Sequence, residues 1–299
     1  MLALHTMAIE SFSPPPTRSL VPLAYKPLSL GNISASGWLL AQLKQQAATL
    51  SGHLDLFWPD VNESVWIGGT HDHGGAGHER GPYWLNGVVP LSAILNASGV
   101  SMTQPDITAQ VEHWVRYILD HQNKTTGWLG PDDGMGGNTY WSAWNIVHSL
   151  LQYADAHSRE PIADTCYAAV LAHVKEAYRR QQTAPFASWT QNRWQDWVYL
   201  LHWLHDAAPQ GQEEMLLKAA DLSYQQRWDW ANYYRLDGGA GSEGPTLPNI
   251  SVPAWTMWDH GVNNAQGTKW AAIWYRQSAD PSLLQLTSRM VAAQLEYHG

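Results

Sequence analysis

Residues 106–121, DITAQVEHWVRYILDH, carry the clearest structural signal in this 299-residue chain. Their apolar side chains recur at intervals of three and four residues, which is the spacing of one face of an α-helix. These side chains are Ile107, Val111, Trp114, Val115 and Ile118. Asp106 comes directly before the first of them and belongs to a residue type that caps helix N-termini. The stretch therefore predicts an amphipathic helix that begins at Asp106.

The same periodicity recurs along most of the chain, and no run of strictly alternating residues competes with it. Nine helices are predicted, near residues 35–50, 83–97, 106–121, 140–156, 161–181, 191–206, 212–230, 258–277 and 281–297. Pro90 predicts a kink or break in the second of these helices. Residues 247–256 could instead be extended. The sequence therefore predicts an all-α protein with little sheet.

The predicted helices come in pairs, and successive pairs begin near residues 106, 161 and 212. Helix pairs that bury their faces against neighbouring pairs build either an open solenoid or a closed α/α toroid. A solenoid normally has short, uniform connections, whereas long loops with Gly and Trp are expected at 52–82 and 122–139. We therefore expect an (α/α) toroid of helical hairpins over residues 21–299, preceded by a disordered segment at residues 1–20.

Tryptophan is unusually common, with 18 Trp against only 3 Phe. An indole offers a broad flat face and a polar N–H, which suits stacking on sugar rings. One interpretation is that the tryptophans pack the seams between helices. The other is that those beside Gly, Pro or Asp line a carbohydrate cleft. These are Trp58, Trp66, Trp84, Trp128, Trp189, Trp255 and Trp258.

Charge and cysteine content argue against several classes of partner and site. The chain has 17 Lys and Arg against 26 Asp and Glu, a formal net charge of −9 and no basic cluster, which argues against a nucleic-acid partner. No apolar run approaches the ~20 residues of a membrane span, so no membrane partner is expected. The single cysteine, Cys166, excludes an internal disulfide and a cysteine-cluster metal site. Its apolar neighbours predict an inert buried thiol.

Two signals about localisation conflict. Five Asn-x-Ser/Thr sequons favour the secretory pathway, and they begin at Asn32, Asn62, Asn96, Asn123 and Asn249. The N-terminal sequence, MLALHTMAIE, has no basic start, and His5 and Glu10 interrupt its apolar stretch, so it does not resemble a signal peptide. The localisation is therefore left open, with a lean towards secretion.

Two glycine-rich segments hold much of the candidate chemistry. Residues 70–80, THDHGGAGHER, could bind a divalent ion, form a polar loop, or bind substrate with Glu79 and Arg80 pointing inward. We favour no metal here, because imidazoles two residues apart suit a strand rather than a loop. Residues 128–138, WLGPDDGMGGN, contain Asp132, which could hold sugar hydroxyls or belong to a simple turn. Their spacing is not that of a calcium loop.

The predicted helix near 191–206 supplies a further group of candidates. Arg193 and Trp197 are four residues apart and share a helix face, so with Trp189 they could form a stacked wall. The alternative is an ordinary helix cap with a surface salt bridge through Asp196.

His260, directly after Asp259, suggests acid/base chemistry because histidine titrates near neutral pH. As helix neighbours the two side chains point about 100° apart and cannot hold each other. We predict eight substrate-binding residues, and we assign no catalytic residue and no metal ligand. The eight are Glu79, Trp84, Asp132, Trp144, Arg193, Asp196, His260 and Asn263.

Three blocks of this sequence resemble glycoside hydrolase family 127, the β-L-arabinofuranosidase-like proteins. The first block is residues 78–91, HERGPYWLNGVVPL. The second joins residues 127–131, GWLGP, to Tyr140, Trp141 and the helix after them. The third is residues 258–264, WDHGVNN, with Lys269 and residues 274–278, WYRQS. The resemblance covers roughly residues 20–299.

The resemblance implies an α/α-toroid catalytic domain of the six-hairpin glycosidase type and retaining hydrolysis of a terminal β-L-arabinofuranosyl unit. It also implies a zinc ion held by glutamate and cysteine ligands, with a cysteine nucleophile and a glutamate general acid/base. Those residues are expected beyond Gly299, and Cys166 lies in another block. We therefore expect the N-terminal part of such a domain, incomplete at its C-terminus, with no cofactor held by this chain. The match extends to the pocket residues Glu79, Trp84, Asp132 and His260.

Three functional hypotheses follow. The first is a glycoside hydrolase of carbohydrate metabolism that acts on terminal furanosides and is inactive if its catalytic residues are missing. The second is a non-catalytic carbohydrate-binding or scaffold protein on the same fold. The third is a two-carboxylate glycosidase or a polysaccharide lyase that uses carboxylates among Glu79, Asp132, Asp196 and Asp259. A glycosidase of that kind needs two carboxylates about 5–9.5 Å apart.

Overall fold

The computed structural model describes residues 19–71, 79–131, 140–231 and 260–298. These ranges form α-helices and two short 3-10 helices, and they contain no β-strand, only an isolated bridge between Ser64 and His71. The predicted all-α class is therefore confirmed for the part of the chain that is described. None of the helices in these ranges is long and apolar enough to cross a membrane. The possible extended segment at 247–256 lies outside the described residues.

The described ranges contain thirteen α-helices, α1 to α13. The first five are α1 Gly37–Ala48, α2 Leu50–Phe57, α3 Pro59–Asn62, α4 Arg80–Ala97 and α5 Ile107–Asp120. The next five are α6 Tyr140–Ala156, α7 Pro161–Gln181, α8 Ser188–Asn192, α9 Trp194–Ala207 and α10 Glu213–Gln225. The last three are α11 Gly261–Gly267, α12 Trp270–Ser278 and α13 Ser282–His298. The 3-10 helices cover Leu30–Asn32 and Val65–Ile67.

Helix predictions agree best with the structure where the helix is long and amphipathic. The helix α5 begins as predicted, because the Asp106 carboxylate accepts a hydrogen bond from the Ala109 N–H at 2.9 Å. The break predicted at Pro90 is absent, and α4 continues through it from Arg80 to Ala97. Packing of α4 against α5 and α6 outweighs the one hydrogen bond that a proline cannot make.

One predicted loop and one predicted helix were wrong. Residues 52–82, predicted as a long loop, contain most of α2, all of α3 and the 3-10 helix Val65–Ile67. These elements have one or two turns, which are too few for an apolar period to become visible. The single helix predicted at 258–277 is two helices from residue 260 onwards, α11 and α12.

The long helices form hairpins in two rows. In each hairpin the two helices pack together: α4 on α5, α6 on α7, α9 on α10, and α12 on α13. The first members contact one another in the order α4, α6, α9, α12, and we call them the inner row. In the outer row, α5 contacts α7 and α7 contacts α10. The helix α6 has twelve buried residues out of seventeen, as its position between α4, α7 and α9 requires.

Tryptophan fills much of the core between these rows. The largest fully buried side chains include Trp141, Trp144, Trp194, Trp197 and Trp230. Three of the tryptophans predicted to line a cleft are buried as well, and packing accounts for them. These are Trp66, Trp84 and Trp128. Trp58 and Trp189 are only partly buried, whereas Trp255 and Trp258 lie outside the described residues.

Residues 20–36 cover the C-terminal ends of the inner helices. The Val21 N–H donates to the Arg276 carbonyl, near the end of α12, at 2.7 Å. The Leu30 N–H donates to the Asp155 carboxylate, near the end of α6, at 2.7 Å. We call this face of the molecule the closed end.

Further contacts strengthen the closed end. The Ala35 N–H donates to Ser98 Oγ, directly after α4, at 2.8 Å. The Arg276 guanidinium pairs with the Asp206 carboxylate, in the last turn of α9, at 3.0 Å. Of the segment predicted to be disordered, only residues 19 and 20 are described, and Leu20 is buried.

Candidate functional site

At the opposite face, the N-terminal starts of α4, α6, α9 and α11 bring together residues that are distant in the sequence. Glu79 precedes α4, Trp141 is the second residue of α6, Arg193 precedes α9 and His260 precedes α11. We call this face the site end. The residues that meet there are called the site cluster: Glu79, Tyr83, Trp141, Trp189, Arg193, His260 and Asn263.

Arg193 is the centre of the site cluster. It is 4% exposed, its Nε donates to Asn263 Oδ1 at 2.6 Å, and its Nη1 donates to the Tyr83 hydroxyl at 2.8 Å. The guanidinium carbon lies 4.1 Å from the ring centroid of Trp141 and 5.2 Å from that of Trp189, within the range of cation–π attraction. Among the described residues, no carboxylate forms an ion pair with Arg193. The side chain is thus a buried cation whose described partners are all neutral.

Glu79 is the carboxylate of the site cluster. The Trp141 indole N–H donates to Glu79 Oε2, and the ring of Tyr83 packs against Trp141 with 5.6 Å between centroids. Burial raises the pKa of Tyr83 to about 12; Arg193 opposes this, and the charges of Glu79 and Asp196 add to it. The phenol therefore stays protonated at neutral pH, and it accepts from Arg193 while keeping its own proton for a ligand.

His260 caps α11 and faces an indole. Its Nδ1 accepts a hydrogen bond from the Asn263 N–H at 3.4 Å, and its ring meets that of Trp189 edge-on at 5.0 Å. Burial lowers the pKa of His260, and the nearby Arg193 cation lowers it further, against the opposing charge of Glu79. Both influences favour the neutral imidazole, and acceptance at Nδ1 places its proton on Nε2.

Beside the cluster, Asp196 forms an ion pair with Lys269, the residue that precedes α12. His148 lies behind this pair and packs against Tyr199 and Trp203. Burial lowers the pKa of His148 to about 4, although the charge of Asp196 opposes the shift. The surface salt bridge proposed as the simpler interpretation of Asp196 is thus present, with Lys269 as its partner.

The structure brings four of the eight predicted substrate-binding residues into one cluster. These are Glu79, Arg193, His260 and Asn263. Asp196 is near enough to raise the pKa of Tyr83. Asp132 and the catalytic candidate Asp259 lie outside the described residues.

Trp84 and Trp144 lie in the core rather than in the cluster. The Trp84 indole N–H donates to the Ser51 carbonyl at 2.9 Å, and its ring packs on Trp114 at 5.4 Å. Trp144 is 2% exposed and stacks on Trp197 at 5.6 Å with the ring planes 11° apart. Their predicted role in sugar binding stays a prediction, and burial of both rings does not favour it.

Two details of the predicted site differ from the structure. The stacked wall contains Arg193 and Trp189, but its third member is Trp141, because Trp197 turns into the core against Trp144. Arg80 does not join Glu79, since its Nη1 pairs with the buried carboxylate of Asp60 at 3.2 Å.

Sequence reasoning did not assign Tyr83, Trp141, Lys269 or His148 to the site. A usable signal existed for Tyr83, which follows Glu79 by four residues and so shares its face at the start of α4. Trp141 and Lys269 lie in the quoted sequence blocks, but nothing local predicts which side chains they meet. His148 has no such signal, because its neighbours come from α9.

The described residues do not fit the zinc centre that the resemblance implies. Cys166 is fully buried in the middle of α7, and burial raises the pKa of its thiol to about 12. A thiol of that kind is neither a ready metal ligand nor a nucleophile. No group of three or more His, Cys, Asp and Glu among the described residues could hold a metal ion. No step of the chemistry proposed below therefore runs through a metal.

Two shallow grooves of about 500 and 400 Å³ lie on the outer row, between α5 and α7 and along α5. Their charged lining residues, such as Lys124 and Asp120, are exposed to solvent. Neither groove contains a buried charge, so the site cluster is the stronger candidate. No protein-family model, curated protein sequence or solved structure matches this chain.

Proposed function

We propose that this chain is a glycoside-hydrolase-like protein that binds a terminal sugar of a glycan at its site end. On this proposal the two rows of hairpins form part of an α/α toroid, and the starts of the inner helices form the wall of its cleft. The observation that supports it best is the site cluster, in which a carboxylate, an arginine and a neutral histidine lie against tryptophan rings.

The groups of the cluster suit the surface of a sugar, which has apolar faces and many hydroxyls. Tyr83 and Trp189 are partly exposed rings that can pack against such a face. Glu79 can accept from a hydroxyl through Oε1, because its donor among the described residues, the indole of Trp141, bonds to Oε2.

The first candidate substrate is a terminal β-L-arabinofuranoside, and it rests on the resemblance of the three sequence blocks. The residues described here bind and orient the sugar on this proposal, and they do not supply the thiolate chemistry of that family.

A two-carboxylate glycosidase is the second candidate. Glu79 and Asp196 both lie close enough to Tyr83 to raise its pKa, so the site has two carboxylates around one phenol. Most glycosidases use such a pair across the cleft, one as general acid and the other as nucleophile or base. In this version Glu79 is the acid that protonates the leaving oxygen, because no donor from the described part of the chain bonds to its Oε1.

Hydrolysis and binding by the same preparation test the proposal. A panel of 4-nitrophenyl glycosides that includes the β-L-arabinofuranoside is incubated with the chain, and the corresponding methyl glycosides are tested for a rise in Tm. The test variant is Glu79→Gln, and its control is Glu112→Gln, an exposed carboxylate of α5 paired with Arg116.

The outcomes separate the hypotheses. Hydrolysis that falls about 100-fold or more in Glu79→Gln but not in Glu112→Gln supports the two-carboxylate enzyme. Binding without hydrolysis, weakened by Glu79→Gln, supports a non-catalytic carbohydrate-binding protein. If no sugar is cleaved and none raises Tm, the proposed function is wrong.

A further inference from the structure

Arg193 differs from the other buried charged side chains of the described residues. Glu176, 5% exposed, accepts hydrogen bonds from Arg179 and Arg180 at 2.7–2.8 Å. Asp60, 7% exposed, pairs with Arg80 at 3.2 Å. Arg193 is the most buried of the three and has no carboxylate partner among the described residues.

A buried charge without a counter-charge is costly, and proteins normally pair it. Cation–π contacts with Trp141 and Trp189 offset part of this cost. They do not supply a negative charge, and neither do the hydroxyl of Tyr83 and the amide of Asn263. Among the described residues, the positive charge of Arg193 is therefore not paired with a negative one.

The guanidinium also has donors that no described residue accepts from. It carries five N–H groups, and two of them donate to Asn263 and Tyr83. The remaining three belong to Nη1 and Nη2, the two nitrogens that form a planar fork for a carboxylate. The two bonds that are made fix the orientation of this fork, so a ligand would meet a preorganised donor.

Charges of both signs surround Arg193, but the described carboxylates nearby are engaged by other groups. The helix starts of the inner row lie at this end, where their backbone N–H groups carry partial positive charge. The carboxylate of Asp196 is neutralised by Lys269. Glu79 is the one remaining described carboxylate of the cluster, and it is held by the indole of Trp141 instead of by Arg193.

We propose that the sugar recognised at the site end carries a carboxylate, as a uronic acid does, and that this carboxylate pairs with Arg193. The proposal rests on the carbohydrate function proposed above and narrows its substrate class to acidic glycans. Arg193 is a binding residue here, and the planar carboxylate fits its fork better than a tetrahedral sulfate.

The test compares sugars that carry a carboxylate with related sugars in which the carboxylate is esterified, absent or replaced by a sulfate. Binding of methyl β-D-glucuronide, its methyl ester, methyl β-D-glucoside and glucose 6-sulfate is measured by calorimetry at low ionic strength, and methyl α-D-galacturonide and its ester are measured in the same way. We expect each acid to bind about 10- to 100-fold more tightly than its ester, the range for a charge-assisted hydrogen bond. We expect the sulfate to bind more weakly than the acids.

Protein variants test whether Arg193 causes the preference for an acid over its ester. Arg193→Gln should reduce the acid-to-ester preference to about one, and Arg193→Lys should keep only part of it because it lacks the planar fork. The control is Arg227→Gln, since Arg227 also lies over an aromatic ring, at 3.7 Å from Tyr224, but belongs to the segment after α10. Arg227→Gln should leave the preference unchanged.

The ligand comparison uses the unmodified chain, so it stays decisive even if a variant fails to fold. If esters and neutral sugars bind as tightly as the acids, this inference is overturned while the carbohydrate function stands. An acid preference that survives in Arg193→Gln overturns the role of Arg193. If neither acids nor neutral sugars bind, the inference and the proposed function both fail.

Discussion

The two ends of the inner row use their polar groups in opposite ways. At the closed end, residues 20–36 satisfy the ends of α4, α6 and α12 with hydrogen bonds, and Arg276 is paired with Asp206. At the site end, the partners of the buried Arg193 are all neutral within the described ranges, and a donor from those ranges meets only one oxygen of Glu79. Completed pairs indicate a structural role, whereas incomplete ones indicate a place for a ligand.

The largest expected effect is the loss of folding stability at low pH. It comes from the core histidines and not from the histidine of the site. Burial lowers the pKa of His202 to about 4 and that of His173 to about 3. In the unfolded chain these histidines bind protons near pH 6.5, whereas in the folded chain they stay neutral at that pH. Stability is therefore full above pH 6.5 and is lost as the pH falls towards 4, by about 1.4 kcal/mol per histidine and pH unit.

Urea unfolding at pH 7.5, 6.0 and 5.0 measures this effect. His260 is only partly buried, so substitution of His260 by Gln should change sugar binding but leave the pH slope of stability almost intact. A free energy of unfolding that stays flat between pH 7.5 and 5.0 would contradict the burial of these two core histidines.

The next effect comes from the closed end. Asp155→Ala removes the acceptor of the Leu30 N–H, and we expect a loss of about 1–2 kcal/mol of stability with sugar binding unchanged. The control is Asp120→Ala, at an exposed position at the end of α5. If Asp155→Ala weakened sugar binding as much as stability, the two ends would not be separate in function.

Arg193→Gln is the corresponding variant at the site end, where we expect binding to change more than stability. It removes two hydrogen bonds and the cation–π contacts, but it also removes a buried charge that has no counter-charge among the described residues, so these contributions oppose each other. We expect stability to change by less than about 1 kcal/mol while the preference for the acidic sugar over its ester is lost. Thermal unfolding and calorimetry on the same variant provide both values, and a large loss of stability would show that Arg193 is a structural residue.

The smallest effect is expected from Asp196→Asn. Its partner Lys269 is 43% exposed, and exposed ion pairs contribute about 0–1 kcal/mol. Stability should therefore hardly change. Hydrolytic activity, if present, should fall strongly only if Asp196 is the second carboxylate of the site, and an unchanged rate would remove it from that role.

The sequence was sufficient for the helical class and for elements with a long apolar period, such as α5 and its cap at Asp106. It did not predict α2 and α3, because elements of one or two turns carry little periodic signal. The break predicted at Pro90 failed because tertiary packing overrides a local preference.

The same limit applies to the site. Glu79, Arg193, His260 and Asn263 were selected individually, from residue types near helix starts. Their meeting depends on how α4, α6, α9 and α11 are placed, which is a tertiary property. For tryptophan, the composition predicted a role in sugar binding. The composition did not distinguish the partly buried Trp189 from the buried Trp84 and Trp144.

The most direct test of the central claim, that the site end is where a glycan binds, is hydrogen–deuterium exchange with and without ligand. Methyl β-D-glucuronide and methyl β-L-arabinofuranoside are the probes. We predict that at least one of them slows exchange at residues 79–83, 189–196 and 260–264, with no change at residues 20–36. Protection confined to the closed end or to the grooves of the outer row, or no protection by either sugar, would contradict the account.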